Sequence, residues 1–360
     1  ELAAIDALAH GLADHTVDNR GDVGSWVRKQ CLHSLAGVFE ADSLVLARLA
    51  TAGGGLAMRL LGLVLRSTTE KIDKLRAAAG RLLELLLGGQ RLPDDGAAAD
   101  PQLSDGGGGE FSWASPEAAY ARIAPALAIG DEQLRRALFE GLVVAGAAEP
   151  LGKHAVGAVA AYAETLPVPG ATAAGGPAAP DAGAGSAAQP AWSASGIVAE
   201  LARLLLTDKR TSRVINPALI VADQLIDQGA LAAASPSSWV SLYRAVRQVA
   251  AGLRAPQRLL LCLKLYGSLA LASDGLACLA AGSLLAHTAH PSPTIRQAAA
   301  DHLFAAVCIN GAIDAGEDAA GIELLLVETD WAQDGPAARD ARARLDSLLQ
   351  PRLRRAPAAP

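Results

Sequence analysis

Aromatic residues are scarce in this chain: they make up 4% of its 360 residues, although apolar residues as a whole make up 51%. The core must therefore be built from leucine, alanine and valine, which favour closely packed helices. Sustained alternation of β-branched and polar residues, the pattern of half-buried strands, is also missing. These absences predict an all-α protein, and its length exceeds the roughly 250 to 300 residues at which a single core stops growing.

The chain carries no excess of positive charge. Its formal net charge is −6, so it offers no basic face large enough to neutralise a series of phosphates. It also lacks an uninterrupted apolar run of 18 or more residues, because the longest candidate, residues 141–163, contains Pro150 and Lys153. We therefore expect neither nucleic-acid binding nor a membrane span.

The usual signatures of catalytic and cofactor sites are absent as well. The glycine runs lack the Lys-Ser/Thr ending of a phosphate-binding loop, and there is no G-x-S-x-G sequence. No C-x-x-C pair occurs, and the cysteines lie in apolar helical contexts that are typical of reduced thiols. The four cysteines are Cys31, Cys262, Cys278 and Cys308. We expect no catalytic residue, no bound cofactor and no metal.

One group of side chains leaves a metal site open as an alternative. His287 and His290 lie three residues apart, and His302 and Cys308 follow in the next predicted helix. Their spacing matches no closed zinc pattern. The two histidines also precede Pro291, where a helix end offers carbonyl groups for them to contact. We favour this structural interpretation.

A repeated helix signature is what the chain does contain. Residues 18–39 (DNRGDVGSWVRKQCLHSLAGVF) indicate a polar loop followed by a helix, whose apolar residues recur every three or four positions. That apolar stripe is Val23, Val27, Cys31, Leu35 and Val38. Adding 268 to four of these positions (27, 28, 31 and 35) gives Ile295, Arg296, Ala299 and Leu303, and a fainter copy is Ala341, Arg342, Leu345 and Leu349. The pattern is typical of the second helix of a HEAT-type repeat.

We predict an all-α, HEAT/armadillo-like α-solenoid of stacked antiparallel helical hairpins with two disordered inserts. Helical repeats are expected at 1–90, 111–166 and 192–350. Residues 91–110 include four consecutive glycines, and 167–191 are a low-complexity Pro/Ala/Gly linker. Both segments have too few apolar groups to offset the entropy of ordering. The tail at 351–360 is expected to be disordered too.

The amino-acid sequences of several segments are more specific than their periodicity. Five blocks resemble the C-terminal part of the tubulin-folding cofactor D family, the first four also in order and rough spacing. They are RGDVGSWVRKQCLHSL at 20–35, EKIDKLRAAA at 70–79, FSWASPEAAYARI at 111–123, FEGLVVAGAAEP at 139–150 and TDWAQD at 329–334. The resemblance covers nearly the whole chain apart from the inserts. It implies that the chain is a piece of a longer helical-repeat protein, and a start at Glu1 without a methionine agrees with that.

The resemblance also implies a function, that of a non-catalytic chaperone or scaffold. Members of this family take β-tubulin after it leaves the cytosolic chaperonin. They assemble with cofactors E and C, α-tubulin and an Arf-like small GTPase to build or dismantle the αβ-tubulin dimer. They are credited with stimulating GTP hydrolysis by tubulin in that complex, which a scaffold can do by positioning its partners. The implied location is the cytoplasm, at the microtubule cytoskeleton.

Periodicity alone leaves two other classes open. A HEAT-repeat scaffold of another kind, such as a transport receptor or a coat adaptor, would share the helical pattern but should lack the GDVGSWVR and FSWASP blocks. An alanine-rich enzyme domain would need convergent titratable groups in a pocket.

The most concentrated polar and aromatic group lies in the first repeat and consists of Asp18, Arg20, Asp22, Trp26 and Arg28. One interpretation makes it a partner-contact patch, because Trp and Arg dominate binding hot spots and loops often carry function. The other is structural: aspartate and arginine pair across neighbouring repeats, and the tryptophan packs as a wedge. We favour the structural interpretation because the arginine recurs at 296 and 342 without the rest of the loop.

Overall fold

The prediction of an all-α fold is confirmed. The computed structural model describes residues 1–19, 21–51, 55–88, 111–166, 192–207, 212–309 and 311–353. These residues form sixteen α-helices and one two-stranded ribbon. They divide into two compact units, one made of the described residues of Glu1–Thr165 together with Trp192, and the other of Leu166 and the described residues from Ser193 onward. The predicted inserts at 91–110 and 167–191, and most of the predicted tail, lie outside the described residues.

The first unit is built from helical hairpins. Its α-helices are α1 (Leu2–Gly11), α2 (Gly24–Ala41), α3 (Ser43–Thr51), α4 (Gly55–Ser67), α5 (Asp73–Leu86), α6 (Pro116–Ile123), α7 (Glu132–Gly146) and α8 (Gly152–Glu164). Helices α1 and α2 form one hairpin and α4 and α5 the next, with α2 beside α5 and α1 beside α4. Helix α4 continues the stack by packing on α7, and α8 packs on α6 and α7.

The only strands among the described residues lie in the connection between α1 and α2. Strands β1 (Val17–Asp18) and β2 (Gly21–Asp22) pair in antiparallel register. Val17 is opposite Asp22, and Asp18 is opposite Gly21. This ribbon orders the polar loop that the sequence places before α2.

Two helix starts in the first unit show why these segments are helical. Ser115 caps α6 by accepting a hydrogen bond from the amide of Ala118, and Pro116 occupies the first helical position. Asp131 caps α7 in the same way, accepting from the amide of Leu134 at 2.9 Å. A proline at that first position removes an amide that would have no helical partner anyway.

The second unit stacks its helices in two rows. Its α-helices are α9 (Ala194–Thr207), α10 (Ser212–Asp227), α11 (Pro236–Ala250), α12 (Pro256–Ala272), α13 (Asp274–His287), α14 (Pro293–Phe304), α15 (Ala319–Glu328) and α16 (Pro336–Leu353). Helices α9, α11 and α13 follow one another in one row, and α10, α12 and α14 in the other. The last hairpin is reversed, since α15 packs on α14 and α16 on α13.

Helix α16 corrects one predicted boundary. It extends to Leu353 and contains Pro351, whereas the sequence suggested an end at residue 350. Arg352 explains the extension, because its Nη2 lies 2.7 Å from the carboxylate of Asp318 and its Nε donates to the carbonyl oxygen of Asp314 at 3.1 Å. These contacts fasten the last turn of the helix to the unit.

Within the described ranges, none of the helices combines the length and the apolar composition that a membrane span requires.

Candidate functional site

The turn that precedes α2 is organised by two aspartates. Asp14 accepts hydrogen bonds from the amide and the hydroxyl of Thr16, at 2.9 and 2.7 Å. Asp22 accepts from the amide of Ser25 at 3.1 Å. A β-carbon at Gly24 would lie 2.6 Å from the carbonyl oxygen of Asp14. The turn therefore requires glycine at position 24, which accounts for the small residue in the GDVGSWVR block.

Arg28 is buried under this turn, with 1% of its surface exposed. Its Nη1 donates to the carbonyl oxygen of Asp14 at 2.5 Å, and its Nη1 and Nη2 donate to the carboxylate of Asp22 at 3.2 and 2.7 Å. Glu70, which lies between α4 and α5, has a carboxylate oxygen 3.1 Å from Nε of Arg28. Arg28 thus links the turn of the first hairpin to the next hairpin.

Acid should weaken this link. The hydrogen bond from Arg28 lowers the pKa of Asp22 below its ordinary value of 3.8, against the opposing effect of burial. A carboxyl whose pKa is lowered on folding stabilises the fold above its unfolded pKa, and that contribution is lost as the pH falls through the folded pKa. We expect Asp22→Asn to be less stable than the parent at pH 7, with a difference that shrinks below about pH 3.8.

Urea unfolding followed by circular dichroism at several pH values would measure this difference. Asp42→Asn, a substitution at the end of α2, is the control. A difference for Asp22→Asn that stays constant with pH would contradict the assigned ion pair.

The five predicted patch residues do not share one environment. Asp18 is exposed, Asp22 is partly exposed and Arg28 is buried, whereas Arg20 lies outside the described residues. Trp26 is 69% exposed, so the interpretation of this tryptophan as a wedge is wrong. The reason is helical geometry: two residues along a helix are about 200° of rotation, so a first turn that buries Arg28 turns Trp26 outward.

The buried face of α2 differs from the predicted stripe for the same reason. Val27 is 43% exposed, and the next residue, Arg28, is buried in its place. The buried residues of α2 include Arg28, Cys31, Leu32, Leu35 and Phe39. The stripe was therefore correct at Cys31 and Leu35 and wrong at Val27.

Arg28 is one of four arginines that are buried in the described part of the chain. The others are Arg76, Arg135 and Arg296. Each lies in the first turns of a helix and directly follows a valine, leucine or isoleucine. A buried guanidinium requires nearly complete hydrogen bonding to offset its desolvation, so the partners of these arginines show what each one does.

Arg76 holds together two separate stretches of backbone. Its Nη1 donates to the carbonyl oxygen of Glu70 at 2.8 Å, in the turn just before α5. Its Nε donates to the carbonyl oxygen of Trp113 at 2.9 Å, and its Nη2 donates to that of Ala114. Asp73 accepts a further bond at 2.7 Å. Arg76 therefore fastens the Trp-Ala turn before α6 onto the start of α5.

Arg296 makes the corresponding backbone bonds in the second unit, with the carbonyl oxygen of Pro291 as a further acceptor at 2.9 Å. Its Nη1 donates to the carbonyl oxygen of His290 at 2.9 Å, six residues earlier, as Arg76 does to Glu70. Its Nε and Nη2 donate to the carbonyl oxygens of Trp331 and Ala332, at 2.8 and 2.7 Å. We call each of these two arrangements, Arg76 with Trp113-Ala114 and Arg296 with Trp331-Ala332, an arginine–tryptophan clamp.

The tryptophan rings complete both clamps. Trp113 donates from Nε1 to the carboxylate of Glu84 at 2.8 Å, and its ring lies so close to Gly80 that a β-carbon there would be 2.1 Å from it. Trp331 is 1% exposed and donates from Nε1 to the carbonyl oxygen of Leu326 at 3.1 Å. Both rings therefore bury their apolar surface while keeping the indole N–H bonded.

Arg135 forms a related but weaker arrangement with Trp192. Its Nη1 donates to the carbonyl oxygen of Ile129 at 3.3 Å, again six residues earlier. Its guanidinium lies over the ring of Trp192, 5.3 Å from the ring centre, and Phe139 packs edge-on against the same ring. Trp192 is thereby packed against two residues of α7.

Sequence reasoning found Arg28 and Arg296 but missed Arg76 and Arg135. It also selected Arg342, which is exposed. Arg342 differs because the buried residues of α16 are Ala338, Ala341, Leu345 and Leu349, and the described residues supply no Trp-Ala turn for this arginine. A usable signal was present: adding 220 to Thr68, Leu75, Arg76 and Ala79 gives Thr288, Ile295, Arg296 and Ala299.

The contacts of the buried arginines hold consecutive segments of the fold together. Within the described ranges, no three His, Cys, Asp or Glu side chains are grouped so that they could hold a metal ion. Nδ1 of His287 lies 2.7 Å from the carbonyl oxygen of Ser283, and Nδ1 of His290 lies 3.1 Å from the amide of Ser292. Burial raises the pKa of the Cys262 thiol to about 12, so this thiol stays protonated and packs as a small hydrophobe.

The model of the tubulin folding cofactor D C-terminal family matches residues 58–258, which is more than half of the 360 residues. The chain belongs to this family. The resemblance stated from the sequence is thereby confirmed. No solved structure was found to match the chain. In this cofactor D family member, Arg76, Trp113 and Arg135 lie inside the matched range, whereas the turn under Trp26 and the clamp at Arg296 lie outside it.

Proposed function

We propose that this chain is a non-catalytic scaffold that holds β-tubulin during assembly and disassembly of the αβ-tubulin dimer. Its proposed partners are β-tubulin, the αβ-tubulin dimer, tubulin-folding cofactors E and C, and an Arf-like small GTPase. Stimulation of GTP hydrolysis by tubulin would occur only in that complex. The proposed location is the cytoplasm, at the microtubule cytoskeleton. The observation that carries the proposal is the family match over residues 58–258.

The architecture supports a scaffold role. Within each unit, stacked helices present extended surfaces, which suit a large protein ligand better than a small substrate. The buried guanidinium groups of Arg76 and Arg296 donate their hydrogen bonds to backbone carbonyl groups of this chain. They therefore fix the geometry between consecutive elements, and the positioning of partners is the means by which such a protein would act.

Binding of β-tubulin by the chain of residues 1–360 tests the proposal directly. We expect β-tubulin released from the chaperonin to co-elute with the chain in gel filtration, and a protein that is no folding client, such as serum albumin, to elute separately. The chain alone should hydrolyse no GTP. Failure to retain β-tubulin would contradict the proposal that the chain holds it. If the chain also retained none of the αβ dimer, cofactor E and the Arf-like GTPase, the scaffold role itself would be contradicted.

We propose further that the patch of Asp18, Arg20, Asp22, Trp26 and Arg28 contributes a partner contact through Trp26. The ring is 69% exposed, and two further apolar residues of this hairpin, Val17 on β1 and Val27 on α2, are 70% and 43% exposed. Exposed tryptophans on an ordered turn are common binding hot spots. In this proposal, Asp22 and Arg28 act from below by holding the turn that presents Trp26.

Trp26→Ala separates this proposal from a purely structural role. We expect unchanged thermal unfolding and binding of one partner weakened by about tenfold or more, the loss typical of a hot-spot residue. Leu271→Ala is the matched control, since Leu271 is 49% exposed and lies in the second unit. Equal binding of β-tubulin, cofactor E and the GTPase by both variants and the parent would show that Trp26 contacts none of them.

A further inference from the structure

The hairpin of α15 and α16 forms an open groove on the surface of the second unit. Its volume is about 620 Å³, within the range of protein binding pockets. The apolar lining includes Leu324 and Leu325 from α15, and Ala338 and Ala341 from α16. Polar residues from both helices and from the turn between them line the remainder.

Helix α15 is apolar around most of its circumference. Ile322, Leu325 and Leu326 are buried against the unit, whereas Leu324 is 53% and Val327 is 63% exposed. A helix that is hydrophobic all round is normally covered on all sides. Earlier hairpins of this unit are covered by the hairpin that follows them. The exposed side of α15 therefore has the character of a surface that another helix covers.

The charges around the groove indicate what kind of helix would cover the exposed side of α15. Glu328, Asp330 and Asp340 line the groove, against one guanidinium, that of Arg344. Asp330 accepts hydrogen bonds from the amide of Ala332 and the side chain of Gln333. Among the described residues, Glu328 and Asp340 form no ion pair within 4 Å. The groove thus combines an apolar lining with an excess of negative charge, three carboxylates against one guanidinium.

The geometry points to this groove as a docking site for an amphipathic helix of a partner protein, with apolar residues on one face and lysines or arginines beside them. The apolar face would cover Leu324 in the groove and the exposed Val327 one helical turn further along α15, in the way that helices fill hydrophobic grooves elsewhere. The basic residues would pair with Glu328 and Asp340. A second copy of this groove is a poor occupant, because it would place carboxylates against carboxylates. This proposal does not depend on the proposed binding of β-tubulin.

Two synthetic peptides test the site on the chain of residues 1–360. Each has roughly 18 residues, or five helical turns, with leucines at i, i+3, i+4 and i+7, and the polar face carries lysine in one peptide and glutamate in the other. Fluorescence anisotropy measures their binding. We expect the lysine peptide to bind, and the glutamate peptide to bind at least about tenfold more weakly.

Substitutions in the chain locate the binding. Leu324→Asp with Val327→Asp should weaken the lysine peptide by about tenfold or more, whereas Leu271→Asp, at a comparably exposed leucine of α12, should leave it unchanged. Glu328→Lys with Asp340→Lys should reverse the preference between the two peptides. All of these positions are exposed, so circular dichroism and thermal unfolding should match the parent and exclude misfolding as the cause.

Several results would overturn the inference. They are the absence of binding by the lysine peptide, equal binding of both peptides, and binding that survives Leu324→Asp with Val327→Asp. Concentration-dependent dimerisation in analytical ultracentrifugation that disappears in the same double variant would also overturn it, since the occupant would then be a second copy of the chain.

Discussion

Arg76→Ala is expected to destabilise the first unit by about 3 to 5 kcal/mol, because it leaves one buried and two part-buried carbonyl groups without this donor, at roughly 1 to 3 kcal/mol each. The carbonyl groups are those of Glu70, Trp113 and Ala114. Arg76→Lys should restore little of the loss, since an ammonium group cannot reproduce the planar set of donors that spans two stretches of backbone.

Urea unfolding, followed by circular dichroism and by hydrogen exchange of α5 and α6, would measure this effect. Arg342→Ala is the matched control: Arg342 was selected from the same sequence pattern but is exposed, and surface substitutions usually stay within about 0.5 kcal/mol. Equal midpoints for Arg76→Ala and Arg342→Ala would show that the clamp contributes nothing to stability.

Trp331→Ala should cost the second unit about 3 to 5 kcal/mol, the usual range for removing a large buried aromatic side chain. Trp331 is 1% exposed, its N–H donates to Leu326, and its carbonyl oxygen accepts from Arg296. Trp331→Phe should cost less, because it keeps most of the buried apolar area and loses chiefly one hydrogen bond, worth about 1 kcal/mol.

Trp26→Ala serves as the comparison for this measurement. Trp26 is 69% exposed, so its removal should change stability by no more than about 0.5 kcal/mol. The two tryptophans thus separate burial from residue type in one protein. A loss of stability for Trp26→Ala as large as that for Trp331→Ala would restore the wedge interpretation that the exposure of Trp26 contradicts.

Four of the five sequence blocks that carry the family resemblance acquire a physical meaning from these contacts. EKIDKLRAAA contains Arg76, FSWASPEAAYARI contains Trp113, and TDWAQD contains Trp331. The first two are the halves of one arginine–tryptophan clamp, and the third is half of the other. The GDVGSWVR block contains the glycine that the turn before α2 requires, and the arginine that is buried beneath that turn.

The sequence by itself determined the fold class, the positions of most helices and the family. Local signals suffice for these, because helical periodicity, N-caps and Pro or Gly breakers act over a few residues. The residues Cys31 and Leu35 were assigned to the core on this basis, and both are buried. The sequence did not determine which side of α2 faces the core at its first turn, because Val27 and Arg28 are neighbours and either one could face inward.

Only the tertiary structure decided which arginines are buried and what they bind. Arg76 reaches Trp113 over 37 positions and Arg296 reaches Trp331 over 35, and no local pattern reports contacts at such distances along the chain. The same reason separates Arg296 from Arg342, which have similar neighbours in sequence but different neighbours in space. Trp26 and Trp331 likewise differ in burial because packing between helices, and not the preference of the residue itself, determines which side of a turn is covered.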